Sequence, residues 1–296
     1  MVKINNRKII KFFKKYQLYL FFIVIIMVIM VKGLILKYNH IEKFNNITLD
    51  NVEDKLYIKL HDLVFNDNHI YENDIKIFNK YAQMDRWDKV KILDAGTGFG
   101  RHYKYLPTNI DKIGVDKEQL YLDRAEIRNP GSNLVLGRLE NYELFEFENF
   151  THILCTMDTI YNNRPEQEMN DVLNNFKFWL KKDGILAIHI FDNTKLDPSP
   201  RDFSISYLDK KKNKHALTYF NDFTHDAVFE NVSDNIYNYI EKYIVKSGNS
   251  ITKSRTLYMI PKNEMVQKIT DNGFMLYNKE NIEGISDYSL YFFKKL

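Results

Sequence analysis

The stretch from Lys91 to Tyr103, K-I-L-D-A-G-T-G-F-G-R-H-Y, constrains the fold of this chain more than any other. An apolar run ends at Asp94 and breaks into three glycines at alternate positions, Gly96, Gly98 and Gly100. A strand that empties into glycines makes a sharp turn, because glycine accepts positive φ and lets a ligand come close to the backbone. Asp94, at the strand's end, is expected to be the first group that such a ligand meets. A second apolar strand, Lys112 to Val115, closes on Asp116. That lies close to the interval of about 20 residues at which α/β nucleotide-binding units offer a carboxylate to ribose hydroxyls.

Spacing decides which ligand is meant. The dinucleotide fingerprint G-x-G-x-x-G requires a third glycine where this chain has Arg101, so the fingerprint fails. The pattern present is D-x-G-x-G-x-G, followed one strand later by Asp116. It resembles the cofactor loop of class I S-adenosylmethionine-dependent methyltransferases, and the run G-x-G-R-H is similar to that of members acting on small molecules. The resemblance implies an α/β, Rossmann-like sheet, mostly parallel with an antiparallel C-terminal strand, and S-adenosylmethionine as cofactor. It places Asp94, Gly96, Gly98, Gly100 and Asp116 at that cofactor. A helix is expected from Arg101 to Leu106, its amino end and Arg101 facing the methionine carboxylate.

The rest of the chain supplies further candidates. Apolar residues recur at helical intervals from Tyr57 to Met84, predicting helices ahead of the first strand. The family carries an aromatic over the cofactor in this region, for which Tyr57 and Tyr71 are candidates. After a third strand, Asn133 to Leu136, the run Gly137-Arg138-Leu139-Glu140-Asn141 stands where the family commonly has Gly-Asp-Ala-Glu. Arg138 departs from that pattern, since an arginine accepts no hydrogen bond from adenine. Adenine recognition then falls to the backbone around Leu139 or to Glu140.

A fourth strand, His152 to Met157, is expected to end beside the ligand. In the family the backbone near Met157 meets the methionine amino group, while Asp158 and Tyr161 face the substrate. Neither an Asp/Asn-Pro-Pro-aromatic motif nor a Pro-Cys motif stands at this turn, which removes most support for nucleobase methylation. An amphipathic helix over Glu166 to Leu180 stops at Lys181-Lys182-Asp183-Gly184, and Ile185 to Phe191 forms the fifth strand.

Alternating runs between Lys195 and Tyr258 predict an antiparallel β insertion before the last helix, similar to the substrate-covering additions of small-molecule methyltransferases. The chain then closes with a helix from Lys262 and two strands, as the family's sheet does. Methyl transfer is mainly a matter of alignment and water exclusion, and a base is required only for a protonated acceptor. Asp158, His225 and His189 are the candidates for that base. No metal ligand set is expected, and the single cysteine, Cys155, excludes an intramolecular disulfide.

The 296 residues carry a net charge of +3, and Lys3, Arg7, Lys8, Lys11, Lys14 and Lys15 precede the first apolar run. The remainder is near neutral, which argues against a nucleic-acid surface. Residues 1–17 read as a basic segment and 18–36 as a transmembrane helix, about 28 Å long against a hydrocarbon core of about 30 Å. Residues 37–56 read as a linker and 57–296 as the catalytic domain, with 195–258 as its insertion. The positive flank predicts a cytoplasmic amino terminus. The expected activity is methyl transfer from S-adenosylmethionine to a small-molecule or lipid-like acceptor by a membrane-anchored enzyme. The alternatives are an inactive cofactor- or partner-binding domain, or a protein methyltransferase.

Overall fold

Strands buried on both faces need no polar alternation, and four runs show that pattern: β1 (Lys91–Ala95), β2 (Asp111–Asp116), β4 (Phe150–Cys155) and β5 (Leu180–Phe191). In the computed structural model they are neighbours in one sheet of seven strands, ordered β3-β2-β1-β4-β5-β12-β11, where β3 is Leu134–Leu136, β11 is Phe274–Asn281 and β12 is Tyr288–Lys295. Strands β1 to β5 pair in parallel, and β12 runs antiparallel between β5 and β11. The structure describes residues 52–66, 68–162, 166–192, 195, 197–199, 204–209, 213–282 and 288–296. Glu53–Leu296 form one compact unit.

Helices cover both faces of this sheet. On one side α4 (Glu166–Trp179) and α5 (Lys262–Asp271) bury Met169, Val172, Phe176, Trp179, Met265 and Ile269 against it. On the other, α2 (Asn68–Tyr81) buries Ile75, Ile77 and Phe78. Helix α3 (Gln119–Arg128) links β2 to β3. The insertion is a second sheet, antiparallel throughout, of β6 (Ile205–Leu208), β7 (Lys214–Tyr219), β8 (Phe223–Ser233), β9 (Ile236–Val245) and β10 (Ser250–Tyr258). Its Phe223, Tyr243 and Ile251 share a core with Tyr57, Leu60 and Val64 of α1 (Val52–Val64) and with Phe99 of the glycine loop. That cluster brings α1 and the insertion to the same ligand edge of the main sheet.

The antiparallel insertion, the closing helix and the final strand pair follow the sequence expectation, and three local features differ from it. Helix α1 begins at Val52, inside the segment expected as linker. No α-helix follows the glycine loop. Turns lead into a single 3₁₀ turn, Tyr103–Tyr105, because Pro107 forces Leu106 into extended geometry at φ −61° and ψ 144°. Lys181 to Gly184 do not interrupt the chain before the fifth strand. They form an irregularity within β5, with Asp183 at φ +62° and a register shift against β4. The transmembrane reading of residues 18–36 and the basic segment before it fall outside the described residues, as do Lys210 to Lys212 of the insertion. Among the described residues no helix is long and apolar enough to cross a membrane.

Candidate functional site

A cleft of about 270 Å³ opens at the carboxyl ends of β1, β2 and β4, where ligands dock in open α/β sheets. Its floor is the glycine loop, and the three glycines have different tasks. A Cβ on Gly96, at φ +71°, would lie 2.3 Å from Thr159 Cγ2, and one on Gly100 would lie 2.5 Å from Asn129 Nδ2. A Cβ on Gly98 would meet nothing nearer than the Gly96 carbonyl at 3.9 Å. Gly96 therefore locks the loop against the turn after β4, and Gly100 locks it against α3. Only Gly98 keeps open space at the cleft. Gly96→Ala is expected to cost about 1 to 3 kcal/mol by overpacking, on top of the about 1 to 2 kcal/mol of its own left-handed backbone. Gly98→Ala should cost about 1 to 2 kcal/mol through its left-handed backbone alone, and urea unfolding curves separate the two.

The carboxylates divide in the same way. Asp94 is 1% exposed, is absent from the cleft wall and accepts the Thr97 hydroxyl at 2.6 Å, so it braces the loop from beneath. Burial raises its pKa. Asp116 stands in the cleft. Its Oδ2 accepts the Gly98 N–H at 2.9 Å and its Oδ1 the Glu118 N–H at 3.0 Å. Each oxygen can still accept another donor. Burial pushes this carboxyl up to about 6, with the two backbone donors pulling the other way.

Beyond β3, Gly137, Leu139 and Glu140 line the cleft and Arg138 does not. The Arg138 guanidinium turns outward, bonding Glu140 Oε1 at 2.7 Å, with its side chain 57% exposed. The Leu139 carbonyl accepts Asn175 Nδ2 at 2.8 Å, which holds this segment to α4.

The turn after β4 contributes Thr156, Met157, Asp158, Thr159 and Asn162. Met157 is left-handed at φ +52° and its N–H donates to His189 Nδ1 at 2.8 Å. That amide is therefore already engaged within the protein. Tyr161, expected on the substrate side, is fully buried and its hydroxyl accepts the Phe191 N–H at 3.0 Å.

Side chains from outside the sheet complete the wall. Arg101 reaches back to α1, donating to Asp62 Oδ1 at 3.0 Å and to His61 Nδ1 at 3.1 Å. Asp62 also receives Arg124 and Arg128 of α3. The Arg101 guanidinium stacks over Phe99 at 4.8 Å, so it lines the cleft as a partnered cation. Burial, helped by the cations Arg101 and Arg255, lowers the His61 pKa to about 3. Tyr71 lines the cleft and its hydroxyl donates to the Phe65 carbonyl, whereas Tyr57 is buried behind the wall. From β10 Arg255 enters the cleft, 2.8 Å from Asp158 Oδ2 and 3.8 Å from Glu241 Oε2.

Of the three candidate bases only Asp158 lines the cleft. His189 is fully buried in β5, and its Nδ1 lone pair is taken by an amide that can only donate. His225 is fully buried in β8 at 3.3 Å from Glu241, which also accepts the Tyr243 hydroxyl at 2.8 Å. His189 serves the Met157 amide and His225 faces Glu241 within its own sheet, and neither lines the cleft. Sequence reasoning missed His61, Phe65, Tyr121 and Arg255. Tyr57 and His61 of α1 and Phe65 just past its end recur at four-residue spacing, a signal that was available. Arg255 gave none, because the packing of β10 against the turn after β4 brings it in.

No protein-family profile matches this sequence, and none of the curated proteins does. Solved structures do match. A S-adenosylmethionine-dependent methyltransferase from Clostridium acetobutylicum shares 16% identity at a TM-score of 0.63, over 83% of this chain and 99% of that one. The S-adenosylmethionine-bound amino pentose methyltransferase CalS10 from Micromonospora echinaspora shares 16% at 0.59, over 76% and 91%. The sugar N-methyltransferase KedS8 from Streptoalloteichus shares 14% at 0.61, over 84% and 94%. At these identities the likeness establishes the fold, a class I methyltransferase-like α/β sheet with mixed strand directions.

Proposed function

We propose that this chain binds S-adenosylmethionine in the cleft and transfers its methyl group to a small-molecule acceptor. The observation that carries the reading is Asp116. It is fixed at the end of β2 by two backbone donors, with acceptor capacity left over, beside the one loop glycine that keeps open space. That arrangement fits a ribose diol. Leu139 and Glu140 would border the adenine, and Arg138, turned outward, leaves that place clear. Gly96, Gly100 and Asp94 would act by shaping the loop. Arg101 and the Met157 turn would face the methionyl end, Arg101 as a guanidinium paired with Asp62, a carboxylate that it shares with Arg124 and Arg128.

When bound, the cofactor would supply an electrophilic methyl carbon for an acceptor's lone pair, with S-adenosylhomocysteine as the leaving group. The protein's share is orientation, which can supply about 7 to 11 kcal/mol. Asp158 is the group placed to orient an acceptor or take its proton, and Arg255 holds it at 2.8 Å. Two of the structures alike in fold are described as acting on sugars or an amino pentose, which supports a small polar acceptor. We read residues 18–36 as an anchor that keeps such a site near a membrane, with the amino terminus cytoplasmic.

Titration of the full chain with S-adenosylmethionine, S-adenosylhomocysteine and NAD tests the reading. Saturable binding of both adenosyl compounds and none of NAD is expected; NAD binding alone overturns it. Binding without methyl transfer in an acceptor screen would move the protein to a non-catalytic role.

A further inference from the structure

A chain of buried polar groups runs beneath the cleft and reaches its wall at His102, Thr156 and Met157. Asp74, in α2, is fully buried. Its Oδ2 lies 2.7 Å from His102 Nε2, and His102 Nδ1 lies 3.1 Å from the Thr156 hydroxyl. Its Oδ1 faces His189 Nε2 at 3.5 Å, and His189 Nδ1 accepts the Met157 N–H. The chain thus ends at both Thr156 and Met157, consecutive residues of the cleft turn.

Hydrogen-bond chemistry fixes most of the protons. An amide N–H can only donate, so His189 Nδ1 carries no proton and its Nε2–H points at Asp74. Asp74 Oδ1 and His189 Nε2 have no hydrogen-bond partner at 3.5 Å, so two orphaned buried atoms of opposite polarity face each other. Burial pushes the Asp74 carboxyl up, and the two histidines outweigh it and hold it below its ordinary value. Such an anion can accept from both rings at once. The turn it serves is strained, since Met157 sits at φ +52° without being glycine.

We propose that Asp74 is a positioning residue for the cleft: by orienting His189 and His102 it holds Met157 in its left-handed conformation and Thr156 in place, and so sets how the turn that carries Asp158 meets a ligand. The proposal rests on the cofactor reading only for which ligand the turn meets. A carboxylate is suited to the place because both facing ring nitrogens must donate to it. An asparagine offers one acceptor and one donor. His189 cannot reverse its tautomer, but His102 can, because the Thr156 hydroxyl can turn to accept.

The test uses the full chain with ¹⁵N-labelled histidine, together with Asp74→Asn and Asp74→Ala. In the parent, His189 Nδ1 should show the shift of an unprotonated nitrogen and His102 Nε2 that of a protonated one. In Asp74→Asn, His189 should keep its tautomer and His102 should reverse. In Asp74→Ala, exchange of the Met157 amide hydrogen should rise by about tenfold, and affinity for S-adenosylhomocysteine should fall by about tenfold, the worth of one hydrogen bond. Asp74→Asn should recover most of that affinity. A protonated His189 Nδ1 in the parent, or a folded Asp74→Ala with Met157 exchange unchanged, overturns the proposal. If the parent itself fails to bind S-adenosylhomocysteine, the cofactor reading fails while the ring nitrogens and the Met157 amide still judge the network.

Discussion

Asp62→Ala is expected to lower the unfolding free energy by about 3 to 5 kcal/mol, the range for removing one partner from a buried charge cluster. Asp62 is buried on α1 and receives Arg101, Arg124 and Arg128 together, the second of these through a short contact. Without it three guanidiniums face one another with no counter-charge, and His61 loses the arrangement that orients Arg101. Burial raises the Asp62 pKa, but Arg101 and Arg128 outweigh it, and the net displacement is downward from 3.8. A carboxyl held low in the folded state stabilises at every pH above its unfolded value and loses that advantage as pH falls through the folded one. Urea unfolding should therefore show the full difference at neutral pH and a shrinking one below about pH 4. A variant of the exposed Lys76–Glu72 pair is the control and should leave the transition where it is. Equal shifts from both sites would show that the cluster is no more than surface charge.

Asp116→Ala is expected to weaken S-adenosylhomocysteine binding by about 1 to 3 kcal/mol, the cost of losing hydrogen bonds to a charged group. The loss has two parts, because Asp116 would hold the ribose and already holds the Gly98 N–H. Its carboxyl, raised by burial to about 6, adds a pH signature. Hydroxyl donors favour the ionised form, so affinity should be full above pH 6 and decline as pH falls through that value. Asp116→Asn should bind more weakly with little dependence on pH in that range. For folding the sign is opposite to that of Asp62. Burial penalises the ionised form, so this group detracts from stability above pH 6, and the penalty fades toward the unfolded value. Calorimetric titration at pH 5, 6, 7 and 8 measures the binding effect, and a flat parent profile would remove Asp116 from the site.

How far the sequence could be read follows from how local each signal is. The glycine loop, Asp116 and the order of apolar runs are written in contiguous residues, and the strands and the closing helix stand where those runs placed them. The floor of the cleft was therefore visible. The helix expected after Arg101 was not formed, because one proline downstream outweighs the general order of the fold. The wall was mostly hidden: Arg255 on β10 meets Asp158 after β4 across 97 positions of sequence, and only tertiary pairing joins them. His189 and His225 were attractive as isolated ionisable residues. Their hydrogen bonds to the Met157 amide and to Glu241 are long-range facts that assign them to the interior.

Gly96 leaves no room for a Cβ beside the side chain of Thr159, so the loop after β1 and the turn after β4 behave as meshed teeth. Neither can yield to a ligand without driving the other. Under the proposed reading, adjustment to different acceptors then falls to β10, whose Arg255 meets Asp158. A graft that replaces β10 and keeps α1, whose Asp62 holds Arg101, should change what is accepted while the affinity for the adenosyl compound stays as it was.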